Sequence, residues 1–202
     1  MSFVGPARVI IVRHGATDWS QIGRHTGRTD IALTEAGREQ CRALRPLLAH
    51  VIGSGERTEP VVFTSTLRRA TETAELALPG ISADESDLIV EVDYGQFEGL
   101  TSAEIAEIDP DWNLFTQGCP GGESIAAVSA RCDAFIAKTE RMAAGRTVVA
   151  FTHGHLGRVL TARLLGQPAS IGSTLYNDTA TIAVVDDRRG AAVLVAWNLG
   201  AH

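Results

Sequence analysis

Lysine is nearly missing from this chain of 202 residues: Lys138 is the only one among 18 basic side chains, and the others are arginine. That excludes any mechanism built on a lysine inside a glycine-rich phosphate loop. Cysteine is scarce too. Cys41, Cys119 and Cys132 are odd in number and match no metal-ligand spacing. They read as reduced thiols, and the chain as cytoplasmic. No apolar run approaches the ~18 residues that a membrane span needs. The opening residues, Met1-Ser2-Phe3-Val4-Gly5-Pro6, lack the charged start and long apolar stretch of a signal peptide. An excess of positive charge is also absent, and the net charge of −6 argues against nucleic acid as a partner. With no repeats, linkers or low-complexity segments, the whole of 1–202 reads as a single domain with a substantial core.

What is present is one short pattern used twice. Arg13-His14-Gly15 follows the apolar run Val9-Ile10-Ile11-Val12, and Thr152-His153-Gly154 follows Val148-Val149-Ala150-Phe151. Short apolar runs that end in a break read as buried strands. A histidine at the carboxyl end of each of two parallel strands faces the crevice where open α/β sheets bind ligands. The glycine after each one lets the backbone turn and a ligand approach. Two such histidines, the first beside an arginine, point to phosphoryl transfer.

The remaining pattern alternates strands with helices. Strands are predicted at 8–12, 61–63 and 147–151, with a third apolar run at 88–92. Thr34 is read as the cap of a helix that Pro46 kinks or breaks. Thr66 is read as the cap of another, ended by Pro79-Gly80. Helices follow at 101–108, at 124–144 after the Pro120-Gly121-Gly122 turn, and from His153 to Leu165-Gly166. Residues 181–185 and 192–197 alternate around Asp187-Arg188-Arg189-Gly190, a hairpin signature. The implied fold is α/β: a three-layer α/β/α sandwich with a mixed, mostly parallel sheet.

In joint order and spacing, the chain resembles the histidine phosphatase (phosphoglycerate-mutase-like) superfamily. The matching residues are Arg13-His14-Gly15; Gly27, Asp30, Leu33-Thr34 and Gly37; Ser65, Leu67, Arg69-Ala70 and Thr73-Ala74; Glu91, Gly95 and Glu98-Gly99; Pro120, Gly122-Glu123-Ser124 and Arg131; and Thr152-His153-Gly154. The resemblance implies that His14 is the nucleophile and becomes phosphorylated, and that Glu91 protonates the leaving oxygen. The chemistry agrees. A neutral imidazole splits one hard displacement into two easier ones, provided nearby guanidinium groups keep it unprotonated and a backbone carbonyl fixes its tautomer. Arg13, Arg69 and His153 are the expected donors to the phosphoryl oxygens, with His153 a cation once phosphate is bound. Arg68 should face solvent. Ser20, His25, Thr26, Gly27 and Gly154 are expected to contact phosphate or the rest of the substrate. Glu98 is read as partner of an arginine or a loop amide. The chain departs from many relatives at Ala16, where they carry a carboxylate, and at Ser20, where they carry asparagine.

The expected activity is hydrolysis of small phosphorylated metabolites, sugar phosphates among them, with no metal and no cofactor. A cofactor-dependent phosphoglycerate mutase is the alternative. Mutases of the family resemble longer chains with an added segment between the acid and the second histidine, and that interval is short here. A cysteine phosphatase would carry arginine six positions after its cysteine; here those positions hold Leu47, Ile125 and Lys138. Asp109-Pro110-Asp111 lacks the preceding apolar strand of an aspartyl phosphatase. His153-x-His155 lacks further ligands for a metal. A non-catalytic phosphoprotein-binding module on this fold would usually have lost His14 or Glu91, and both are present. The residues leave open a homodimer through an edge strand.

Overall fold

Alternating apolar side chains along β1 (Arg8–Arg13) send Val9 and Ile11 into one core cluster and Ile10 and Val12 into another. The sheet therefore buries both faces. The computed structural model describes residues 5–53 and 59–201. Residues 1–4, on which most of the signal-peptide reading rests, lie outside this range.

After β1 the chain forms α1 (Asp18–Gln21), α2 (Glu35–Ala43) and α3 (Arg45–Ile52), then β2 (Val61–Thr64), α4 (Arg68–Ala77) and the two-residue β3 (Asp84–Glu85). Helices α5 (Ser102–Ile108), α6 (Leu114–Gln117) and α7 (Ile125–Met142) precede β4 (Thr147–Thr152) and α8 (Gly154–Leu164). A 3-10 segment (Ala169–Thr174) leads to the hairpin of β5 (Ile182–Asp187) and β6 (Ala192–Leu199). The sheet order is β3-β2-β4-β1-β5-β6. Strands β3, β2, β4 and β1 run parallel, whereas β5 is antiparallel to both β1 and β6.

Helices α7 and α8 cover one face through Val128, Cys132, Phe135, Leu156, Val159 and Leu160. Helices α3 and α4 cover the other through Leu48, Ala74 and Ala77, with Leu44 at the junction of α2 and α3. This is the expected sandwich. Thr34 caps α2 by accepting from the Gly37 amide. The break beside Pro46 falls at Leu44 and puts the proline in the first turn of α3, where its missing N–H costs nothing. Gly37 is required by packing, because a Cβ there would lie 2.1 Å from the Ala16 carbonyl oxygen.

Two local readings change. The apolar run 88–92 pairs with no strand among the described residues. It starts as a 3-10 turn (Asp87–Ile89) and continues as extended chain wedged under α7 and β4. Thr66 does not cap α4. The N-cap is Leu67, and the Thr66 hydroxyl bonds Asp87 Oδ1 at 2.9 Å instead. Among the described residues, no helix is long and apolar enough to cross a membrane.

Candidate active site

The register of the sheet brings the two histidines together. Arg13 pairs with Thr152 across β1 and β4, so His14 and His153 leave adjacent strand ends. Their ring centroids are 5.3 Å apart, and the two side chains are 5% and 0% exposed. His14 Nδ1 lies 2.7 Å from the Gly15 carbonyl oxygen and donates to it. That fixes the tautomer and leaves the Nε2 lone pair free. Burial, then Arg69 and Arg13, hold the His14 pKa well below the usual histidine range. The imidazole is therefore neutral, as a nucleophile requires.

Arg13 donates from Nη1 to the Asn177 carbonyl at 2.6 Å, while its buried Nε has no hydrogen-bond partner among the described residues. An unpaired buried guanidinium N–H is costly unless an anion meets it. Gly154, the first residue of α8, makes room for this group, since a Cβ there would come within 3.3 Å of the Arg13 guanidinium.

Arg69 sits in the first turn of α4 and is fully buried. Its Nε donates to His153 Nδ1 at 3.1 Å, its Nη1 to Thr29 O at 3.0 Å, and its Nη2 to Thr26 O and Gly27 O at 3.0 and 2.9 Å. The neighbouring Arg68 is exposed. His153 completes its bonding through Nε2, 2.7 Å from Ser65 Oγ. Burial, with Arg69 and His14, lowers its pKa well below the ordinary value. Arg69 and His153 thus stand behind the cavity wall, held to each other and to the 26–29 loop.

Glu91 is 4% exposed and lines the cavity. Three backbone N–H groups point at its carboxylate: Val92 and Leu156 at 3.0 and 2.9 Å from Oε1, and His155 at 3.1 Å from Oε2. Two of these belong to the N-terminus of α8, where free amides and the helix dipole favour an anion. Arg131 of α7 fixes the backbone beneath, donating to the carbonyls of Leu88, Val90 and Glu91 and pairing with Glu123 at 2.7 Å. The sequence singled out Arg131 but gave it no task.

The cavity, about 200 Å³, is lined by Arg13, His14, Ser20, Thr26, Glu91 and Gly154, together with His25. Gly27 is not in its wall. Its carbonyl takes Arg69, its amide donates to both Glu98 oxygens at 3.0 Å, and a Cβ there would meet Val92 O at 2.4 Å. Glu98 is thereby the partner of loop amides. The Ser20 hydroxyl closes a capping box with Thr17, bonding the Thr17 amide at 2.8 Å. Ala16 is buried and donates its amide to Gln40.

His25 Nδ1 donates to the Leu100 carbonyl at 3.0 Å, and the ring stacks on His155 at 5.5 Å and 11°. His155, Tyr94, Arg158 and Asn177 also stand in the wall and were not foreseen. The Tyr94 hydroxyl lies 2.5 Å from His155 Nδ1. Burial and Glu91 push the Tyr94 pKa well above the usual value, so it stays protonated. Burial pushes those of His25 and His155 down. The spacing of His153-x-His155 was the one sequence signal for any of the four.

The chain is similar to known proteins over nearly its whole length. The model of the histidine phosphatase superfamily (branch 1) matches residues 9–200. An acid phosphatase of Mycobacterium tuberculosis is 38% identical over 196 residues, covering 96% of this chain and 94% of that protein. A 2,3-bisphosphoglycerate-dependent phosphoglycerate mutase 2 of Gloeobacter violaceus is 33% identical over 171 residues, covering 78% and 75%. The solved structure of the open reading frame Rv3214 of Mycobacterium tuberculosis superimposes with a TM-score of 0.89 at 38% identity, covering 96% of this chain and 98% of that one.

Proposed function

The chain belongs to branch 1 of the histidine phosphatase superfamily and is a phosphatase; from that premise we propose that it hydrolyses small phosphomonoesters, sugar phosphates among them, through a phosphohistidine on His14. The observation that carries this reading is a neutral, tautomer-locked His14 beside Arg13, whose Nε has no partner among the described residues.

In the first step His14 Nε2 attacks phosphorus and the bond from phosphorus to the ester oxygen breaks. Glu91 in its acid form, restored by the water proton of the second step, gives a proton to that oxygen, and the alcohol leaves. Arg13 meets the charge on the equatorial oxygens, joined by Arg69 and His153 as they turn from each other toward the anion. In the second step water attacks phosphorus, the bond from phosphorus to His14 Nε2 breaks, and Glu91 takes the water proton. Inorganic phosphate and a neutral imidazole result. Ser20, His25, Thr26 and Gly154 border the leaving group. Gly27 acts through the loop it shapes.

Hydrolysis is preferred over mutase transfer because only 62 positions separate Glu91 from His153, which leaves little chain for a segment that would exclude water. The test is phosphate release from a panel of metabolite esters by wild type and His14→Ala, run beside interconversion of 2- and 3-phosphoglycerate. Phosphate release that depends on His14 supports the proposal. Efficient cofactor-dependent interconversion with negligible release assigns the chain to the mutases.

A further inference from the structure

Of the two cavity arginines that the chemistry above leaves without a task, Arg24 and Arg158, only Arg158 has no salt bridge among the described residues. Arg158, one turn into α8, is half-buried and stands in the cavity wall. Its Nε donates to the Gly172 carbonyl at 2.8 Å and its Nη2 to the Ser173 carbonyl at 3.2 Å. Its guanidinium lies over the Phe115 ring, 4.4 Å from the centroid. Three contacts from two other elements thus set its orientation. Gly172 belongs to the same arrangement, since a Cβ there would press within 2.7 Å of the Phe115 ring.

None of these contacts neutralises the charge. Among the described residues no carboxylate forms a salt bridge with Arg158, whereas Arg24 in the same wall is paired with Glu104 at 3.7 Å. The one carboxylate in the wall is Glu91, whose oxygens already take three backbone amides. Arg158 Nη1 makes no hydrogen bond to a described residue. The charge is felt inside the cavity, where it contributes to lowering the pKa of His155.

Position matters as much as charge. Gly154 packs against the Arg13 guanidinium, and Arg158 is four residues further along α8, on the same face and about one helical turn, ~5 Å, away. Both arginines line one cavity of about 200 Å³, so a small ester held by Arg13 is within the same enclosure as Arg158. A forked, stacked guanidinium is the group that recognises carboxylate or phosphate oxygens in pairs.

We propose that Arg158 reads a second anionic group on the substrate, so that the preferred ester has a leaving alcohol bearing a carboxylate or a further phosphate. This rests on the phosphatase reading and narrows its substrate class. The alternative is that Arg158 only ties α8 to the 3-10 segment (Ala169–Thr174).

Steady-state kinetics on three esters tests it: 3-phosphoglycerate with a carboxylate, fructose 1,6-bisphosphate with a second phosphate, and glycerol 2-phosphate with neither. Wild type should favour one of the two anionic esters in kcat/KM, and which one identifies the second anion. R158Q should raise KM for that ester by about 10- to 100-fold, the scale of a lost charge-assisted hydrogen bond. KM for glycerol 2-phosphate and inhibition by inorganic phosphate should move by no more than about twofold, because the scissile group does not meet Arg158. R158K keeps the charge without the fork. It should raise KM for the anionic ester alone, by less, and it carries the test if R158Q does not fold. Equal losses on all three esters, or a wild type indifferent to the second anion, would overturn the proposal. Absence of phosphate release from every ester would instead strike the phosphatase reading beneath it.

Discussion

Arg69 Nε donates to Nδ1 of His153 across 3.1 Å. A guanidinium can only donate, so that nitrogen carries a lone pair. The proton of His153 is therefore on Nε2, donated to Ser65 Oγ at 2.7 Å. The second histidine is thus neutral here, and for both groups to meet a phosphoryl oxygen, as proposed, they must part from each other.

Anion binding should therefore take up a proton. Sulfate, which does not titrate near neutrality, isolates the effect. Calorimetry in buffers of different ionisation enthalpy should show uptake approaching one proton at pH 7. Affinity should weaken by up to tenfold per pH unit above neutrality, and His153→Asn should abolish the dependence. Binding of sulfate that ignores pH would refute the neutral-to-cation change at His153.

Glu91→Gln keeps the shape of the acid and removes its proton. The expected loss in kcat is about 10²- to 10⁴-fold for an alkyl phosphate. For p-nitrophenyl phosphate, whose leaving group needs no proton, phosphorylation of the enzyme should suffer far less. Rapid-quench measurement of that first step on both substrates separates the cases. An equal loss on both would make Glu91 a structural carboxylate of the α8 N-terminus.

Burial lowers the pKa of His14, His153 and His155 well below the unfolded value. At these residues the unfolded chain then binds more protons than the native one between the folded pKa and about pH 6.5. The sign follows: these residues cost no stability above pH 6.5, and as pH falls each removes up to about 1.4 kcal/mol per pH unit until its folded pKa is reached. Thermal unfolding should show Tm falling from pH 7 to pH 5, and the fall should shrink in phosphate, which favours the protonated His153. A Tm that is flat or rises toward acid in dilute buffer would contradict the buried neutral imidazoles. Kinetics carry the same sign. A neutral His14 keeps the acid limb of kcat/KM below pH 6.5, and Arg69→Gln should move that limb upward.

Much of the site was legible because its signals are local. An apolar run, then histidine, then glycine marks both strand ends, and β1 and β4 pair in the register that joins them. Thr34 before α2 and Pro46 at the start of α3 are equally local. The segment 88–92 misled because its apolar residues are buried under α7 and β4 without sheet pairing, and burial alone does not distinguish extended loop from strand. Thr66 gave up its capping role to a bond with Asp87, a tertiary partner that no local rule supplies. The Arg69–His153 pair and the Arg131 clamp under Glu91 join residues 84 and 40 positions apart. Tyr94, Arg158 and Asn177 are isolated residues that only the folded wall assembles.

The most direct measurement traps the enzyme during turnover. Wild type mixed with a phosphomonoester and quenched in base, which preserves phosphoramidates, should carry the phosphoryl group on His14 when the peptides are sequenced by mass spectrometry. His14→Ala should carry none and release no phosphate. A phosphoryl group on any other side chain, or hydrolysis by His14→Ala at the wild-type rate, would contradict the account.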